Sequence, residues 1–119
     1  MKLCPACQTR LESKQLKCPC CQLVIEGSFR FPRLARLAPA HLALAEEFIL
    51  AGGNLKDLGA KLDLSYPTVR KRVDEMRADL VRQRAEDAEE VKKILARIER
   101  REISVQEGTR MIKEINNEL

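Results

Sequence analysis

Five cysteines fall within the first 21 residues, four of them as two CxxC pairs: Cys4-Pro-Ala-Cys7 and, ten residues on, Cys18-Pro-Cys-Cys21. Each pair can offer two thiolates to one tetrahedral Zn²⁺ while its backbone N–H groups turn towards the sulfurs. The spacing predicts a small ribbon of two knuckles holding one structural zinc per chain on Cys4, Cys7, Cys18 and Cys21. Leu16-Lys17 and Leu23-Val24-Ile25 supply the hairpin strands beneath them. A redox reading of either CxxC lacks the βαβ surroundings it requires. Cys20 is the odd thiol, a bystander able to replace Cys18 or Cys21 by a small slip.

Nothing in the chain points to catalysis. A nucleophilic cysteine needs a base, and His41, the one histidine, has no matching acid and amide arrangement, so it reads as a surface helix residue. No Ser/His/Asp set, glycine-rich phosphate loop or HExxH occurs. The chain reads as a non-enzyme.

A second pattern lies at Asn54 to Val73, NLKDLGAKLDLSYPTVRKRV. Gly59 inside a short helical pattern costs ~1 kcal/mol against Ala, so a neighbouring element must approach too closely for a side chain. Leu58, Leu62, Leu64 and Val69 are the apolar set by which two short helices clasp across a tight turn. Asn54 caps the first helix. Asp63 stands where such turns usually carry glycine, in the left-handed region, and Ser65 caps the second helix ahead of Pro67. This is the pattern of a helix-turn-helix.

Along the second helix Val69, Val73, Met76 and Leu80 form a buried stripe at ~100° per residue. Ser65 and Tyr66 open the helix, Thr68 and Lys71 point outward, and Arg70 and Arg72 flank them. Those six are the candidate DNA contacts, with base edges expected for Thr68 and Lys71 and phosphates for the two arginines. Asp74 and Glu75, one turn on, would repel phosphate and confine contact to the first two turns.

At 119 residues, 34% charged and 3% aromatic, the chain is expected to be small, mainly α modules in series. Residues 1–38 carry 7 cations and 2 acids (+5), 39–84 carry 8 and 7 (+1), and 85–119 carry 7 and 9 (−2), making up the net +4. No run approaches the ~20 apolar residues of a membrane span and no secretory signal opens the chain, so a cytoplasmic location without membrane partners is expected.

The expected order is a zinc ribbon (1–28), a linker (29–38), a three-helix DNA-binding bundle (39–84) and a C-terminal helical hairpin (85–119). In the linker, Phe29 and Phe31 are expected to fix the ribbon to the helices, with Arg30, Arg33 and Arg36 candidates for the phosphate backbone. Pro39 starts a helix with Leu42, Leu44, Ala45, Phe48 and Ile49 as its apolar set and Gly52-Gly53 as its stop. Beyond Leu80 the helix can run on. Arg84 to Glu90 is polar on nearly all faces, which suggests a solvated or bent stretch, and Val91, Ile94, Leu95 and Ile98 then form a stripe. Ser104 and Glu107 form a capping box for a last helix with Val105, Met111, Ile112 and Ile115 inward. Such a hairpin is too small to order itself, so residues 85–119 are expected to self-associate.

With CPAC, CPCC, the EGSF turn, the GGNLKDL opening and SYPTVRKRVD on the page, Cys4 to Leu80 resembles an uncharacterised bacterial family, a domain of unknown function in which a zinc ribbon precedes a helix-turn-helix. Leu58 to Arg72 also looks like the promoter-reading end of bacterial sigma factors. Residues 91–115 resemble the SHOCT-like two-helix domain, although Arg101-Glu102 stands where that pattern usually has glycine. These resemblances imply a transcriptional regulator with zinc on Cys4, Cys7, Cys18 and Cys21 and a DNA-facing helix starting at Ser65; with the self-associating tail, a dimer that binds double-stranded DNA is expected. The alternative is an adaptor for RNA polymerase or a sigma factor with no DNA site of its own.

Overall fold

Short helices need their ends closed, and three of the four helices here end in the same device. In the computed structural model, which describes residues 4–7 and 11–116, α1 spans Pro39–Leu50, α2 Leu55–Leu62, α3 Tyr66–Glu99 and α4 Val105–Asn116. After α1 the Gly53 amide donates to the Phe48 carbonyl and the Gly52 amide to that of Ile49. After α2 Leu64 and Asp63 donate to Gly59 and Ala60, and after α3 Glu102 and Arg101 donate to Arg97 and Ile98. Each end turns on one left-handed residue: Gly52 (φ 65°), Asp63 (φ 53°) and Arg101 (φ 60°). Asp63 is as the sequence leads one to expect. Arg101 takes the conformation that glycine provides without strain.

The clasp of α2 on α3 is also as expected. A Cβ on Gly59 would sit 3.1 Å from the Leu64 carbonyl oxygen and 3.3 Å from Val69 Cγ2. Asn54 accepts hydrogen bonds from the amides of Lys56 (2.9 Å) and Asp57 (3.3 Å). Leu44, Leu58 and Val69 are buried together, with Phe48, Leu55, Leu62, Leu64, Val73 and Met76 packed against them. From α1, Leu42 and Ile49 do not join this core. They stay exposed beside Leu34 and Leu50, because the helix turns only its Leu44–Phe48 side inward.

Before the helices, β1 (Ser13–Lys17) and β2 (Val24–Phe29) pair antiparallel, Leu16 opposite Ile25 and Gln15 opposite Glu26. The pairing slips by one between Gln15 and Ser13, so that Gly27 and Ser28 face a single residue, as in a β-bulge. Leu16, Leu23, Val24 and Ile25 remain exposed on the hairpin. Residues 1–3 and 8–10 of the expected ribbon and 117–119 of the expected hairpin lie outside the described residues.

The hairpin is joined to the helices by ion pairs; of the two phenylalanines expected to fix it, Phe31 is exposed and Phe29 half-buried. Residues 30–41, which include a single 3-10 turn at Leu34–Arg36, run antiparallel to the middle of α3. Arg30 forks onto Glu90 (2.9 and 2.7 Å), Arg33 Nε donates to Asp87 Oδ2 (2.9 Å), and Arg36 Nη2 donates to the same oxygen. The Gln83 amide donates to the Arg36 carbonyl (3.3 Å). Asp79 accepts from the Ala38 amide (3.3 Å) and pairs with His41 Nδ1 (2.8 Å). Arg30, Arg33 and Arg36, candidates for the phosphate backbone, are instead engaged by carboxylates of α3. His41 is likewise a packed residue, not a free surface one.

The same contacts explain why α3 runs unbroken for 34 residues through its polar stretch. Asp79, Gln83 and Asp87 recur every four residues on one face, and all three are buried, Asp87 to 2% exposure. Charge faces inward here because the partner strand brings opposite charge. Further along, α4 folds back on α3, burying Ile94 and Ile115, and a side chain at Gly108 would run into Ile98. Ser104 Oγ accepts from the Glu107 amide (3.0 Å), as a capping box requires. Val105 and Leu95, expected inside, are exposed because α3 and α4 meet along Ile94, Ile98, Gly108 and Ile115. The apolar faces of α3 and α4 thus cover each other within the chain.

Removing one partner of a buried ion pair strands the other, so Asp87→Ala should cost about 3–5 kcal/mol, read as a lower urea midpoint. The exposed Arg82→Ala should cost less than ~1 kcal/mol. At the α3 end, Arg101→Gly relieves a left-handed non-glycine residue and should stabilise by ~0.5–1 kcal/mol, seen as a higher Tm. For Asp79, burial alone would raise the carboxyl pKa, but the His41 hydrogen bond, the Ala38 amide and the charge of Arg82 outweigh it and leave it below its ordinary value. The unfolded chain then binds more protons, so this contribution is complete above ~4 and is lost as pH falls through the lower folded value. An acid titration of unfolding should be shallower below pH ~4 in Asp79→Asn than in the parent chain.

Candidate nucleic-acid interface and metal knuckle

The second knuckle is built by the turn between the strands. The Cys18 amide donates to the Leu23 carbonyl (2.8 Å), the Gln22 amide to that of Cys18 (3.1 Å), and Gln22 takes a left-handed φ of 64°. This rolls the chain over the Cys18 sulfur, which receives the backbone N–H groups of Cys21 and Cys20. Those bonds, with a further one from the Cys21 side chain, lower the Cys18 thiol pKa. The second pair thus has the N–H to sulfur arrangement that thiolate metal ligands use. Cys4 and Cys7 bracket a separate turn over residues 5–7. All five cysteines are free of disulfides; among the described residues no three Cys, His, Asp or Glu side chains gather as a metal-holding group.

The six candidate DNA residues sit on the first two turns of α3. Ser65 is at the N-cap with extended backbone (φ −66°, ψ 153°), but its hydroxyl does not cap the helix. It bonds the Thr68 hydroxyl at 2.8 Å instead. One ordinary target, the amide of the second helical residue, is missing because that residue is Pro67. Thr68 is accordingly half-buried, with its hydroxyl engaged by Ser65.

Tyr66, Arg70, Lys71 and Arg72 are exposed. Arg70 Nε lies 3.4 Å from Asp74 Oδ2, and its pKa is raised first by the charge of Asp74 and then by a hydrogen bond with Tyr66. Tyr66, Arg70, Lys71 and Asp74, with Pro67, Glu75 and Ala78 but not Arg72, border a shallow, open depression. Among the described residues no ion-pair partner engages Lys71 or Arg72, in contrast to the three linker arginines. The acids that would repel phosphate, Asp74 and Glu75, stand one turn along the same face.

What sequence reasoning missed is the set behind this face: Arg30, Arg33, Arg36 and His41 against Asp79, Gln83, Asp87 and Glu90. The signal was a run of cations spaced by three and a run of polar residues spaced by four, some 50 residues apart. No helix among the described residues is long and apolar enough to cross a membrane.

No curated protein and no solved structure matches this chain. Residues 37–82, which hold α1, α2 and the first half of α3, match the family model described as "Domain of unknown function (DUF2089)-HTH", so the three-helix unit built around Leu58 and Val69 is a helix-turn-helix similar to that of an uncharacterised family.

Proposed function

We propose that the chain is a zinc-containing transcriptional regulator that binds duplex DNA through the start of α3. The observation that carries this reading is the contrast among its cations. Arg30, Arg33 and Arg36 are paired with carboxylates of their own chain, whereas Lys71 and Arg72 are exposed on the leading turns of a helix-turn-helix. A helix entering a major groove by its N-terminal end presents those two turns first. Lys71 is the base reader, Arg72 a phosphate contact, and Arg70 a phosphate contact held back by Asp74. Ser65 and Thr68 shape the helix start and do not read bases.

The metal is structural, one Zn²⁺ per chain, held by Cys4, Cys7, Cys18 and Cys21. The backbone donors around Cys18 support this role, and the ion would fix the knuckle end of the β hairpin. One observation favours the adaptor alternative, in which RNA polymerase or a sigma factor is the partner. Leu34, Leu42, Ala45, Ile49 and Leu50 line an exposed, largely apolar cleft on α1, away from the α3 face.

Direct DNA affinity should fall steeply with salt through counterion release, whereas an adaptor's affinity for its protein partner need not. With a site selected from genomic fragments, Lys71→Ala should cost about 1–3 kcal/mol there and much less on random duplex. Arg72→Ala should weaken both alike and lessen the salt slope by about one unit. Asp74→Ala, which releases Arg70, should tighten both. Folded variants at Arg70, Lys71 and Arg72 that all bind DNA as the parent does would put the adaptor reading first.

For the metal, the purified chain should carry one zinc by elemental analysis. Cys20→Ser should retain it while Cys7→Ser and Cys18→Ser lose it. Equal loss from Cys20→Ser would assign the fourth ligand to Cys20.

A further inference from the structure

The outer face of α3 is as unusual as its inner one. Opposite the buried Asp79, Gln83 and Asp87 lie Ala78, Val81, Ala85, Ala88, Lys92 and Leu95, all exposed, with Val81 at 59% and Leu95 at 52%. Their spacing alternates three and four, the seam of a coiled coil, over a rise of ~26 Å. Neither the core helices, the linker nor α4 covers this face. A helix whose charges are turned inward and whose apolar seam is left in solvent lacks a partner helix.

We propose that this seam pairs with the same seam of a second copy of the chain, antiparallel. The commitment to a second copy and to that direction comes from charge. With the two-fold axis between residues 86 and 87, Ala85 meets Ala88, Ala78 meets Leu95, and Val81 lies beside the stem of Lys92, each contact made twice. Arg82 then lies on the same edge of the seam as Glu89 of the other copy, within about 3 Å of its level along the axis, on both sides of the two-fold. Both residues are exposed; Arg82 also pairs with Asp79 at 2.6 Å and Glu89 with Lys92 at 3.0 Å within the chain. Parallel pairing would instead set Lys92 against Lys92 in the seam and Arg77 beside Arg82 at its edge, with Arg84 beside Glu89 as its one favourable pair. The three alanines allow the two helices to approach closely. The proposal concerns α3 beyond the DNA-reading turns and does not depend on the reading of Lys71 or Arg72.

Sedimentation velocity on the full chain, over roughly 1 to 100 µM, tests it. The parent chain should pass from monomer to dimer. Val81→Lys faces Lys92 of the second copy and should weaken the dimer at least tenfold, as should Leu95→Lys. Val81→Glu faces the same Lys92 and should dimerise as well as the parent or better. Glu89→Arg should weaken association, and adding Arg82→Glu should restore it. Far-UV circular dichroism should be unchanged throughout, because every altered side chain is exposed. A parent chain that stays monomeric, or a dimer indifferent to Val81→Lys and Leu95→Lys, overturns the seam. Loss of the dimer in Val81→Glu as complete as in Val81→Lys overturns the antiparallel arrangement.

Discussion

The ionic contact between residues 30–41 and the middle of α3 is the constraint on which the remaining structure rests. A 34-residue helix that is polar on most faces has little reason to stay ordered beyond the bundle that holds its first three turns. Here the linker lies along it like a strap, meeting Glu90, Asp87, Gln83 and Asp79 in succession. Asp87 is the centre, with Arg33 and Arg36 on one oxygen and Arg30 3.7 Å from the other. Taking those charges out of water is costly, and the pairing is stable only because the acids and the guanidinium groups are desolvated together. What the arrangement adds over an apolar strap is register: Arg30 forks onto one carboxylate, and a shift by one residue would part all of these pairs.

Two functions of the fold follow from that strap. It ties the β hairpin, and any metal its knuckles hold, to the helix-turn-helix through covalent neighbours of Arg30 rather than through a flexible connection. It also occupies Arg30, Arg33 and Arg36, so the excess of cations in residues 1–38 is in part a complement to α3 and not only an attraction for an external acid. The cations on the first turns of α3, unlike the three linker arginines, are left exposed and able to meet a phosphate.

Local chemistry was legible in the sequence wherever the signal was itself local. Gly59 announced the approach of Leu64 and Val69, Asp63 the left-handed turn, Asn54 the cap, and Gly52 the end of α1. Each rests on a steric or hydrogen-bonding need met within a dozen residues. The strap was not legible, because Arg30, Arg33 and Arg36 carry the same residue types whether they face phosphate or carboxylate. A polar run such as Arg84 to Glu90 reads as solvated until its partner, some 50 residues away in sequence, is placed beside it. Ser65 shows a finer limit: the cap position was readable, but the hydroxyl's choice of Thr68 depends on rotamers that spacing does not encode. The CxxC spacing announced the second knuckle, whose backbone donors do converge on Cys18, whereas a four-thiolate centre also needs the first pair brought alongside it, which spacing alone does not do.

Native-state hydrogen exchange, followed amide by amide along α3, tests the strap most directly. If the contacts of residues 30–41 hold the middle of the helix, amides from Asp79 to Glu90 should open only together with the core amides around Val73 and Met76, at a similar free energy. Exchange of the 79–90 amides at the rate of a frayed, solvated helix, while the amides near Val73 remain protected, would contradict the account.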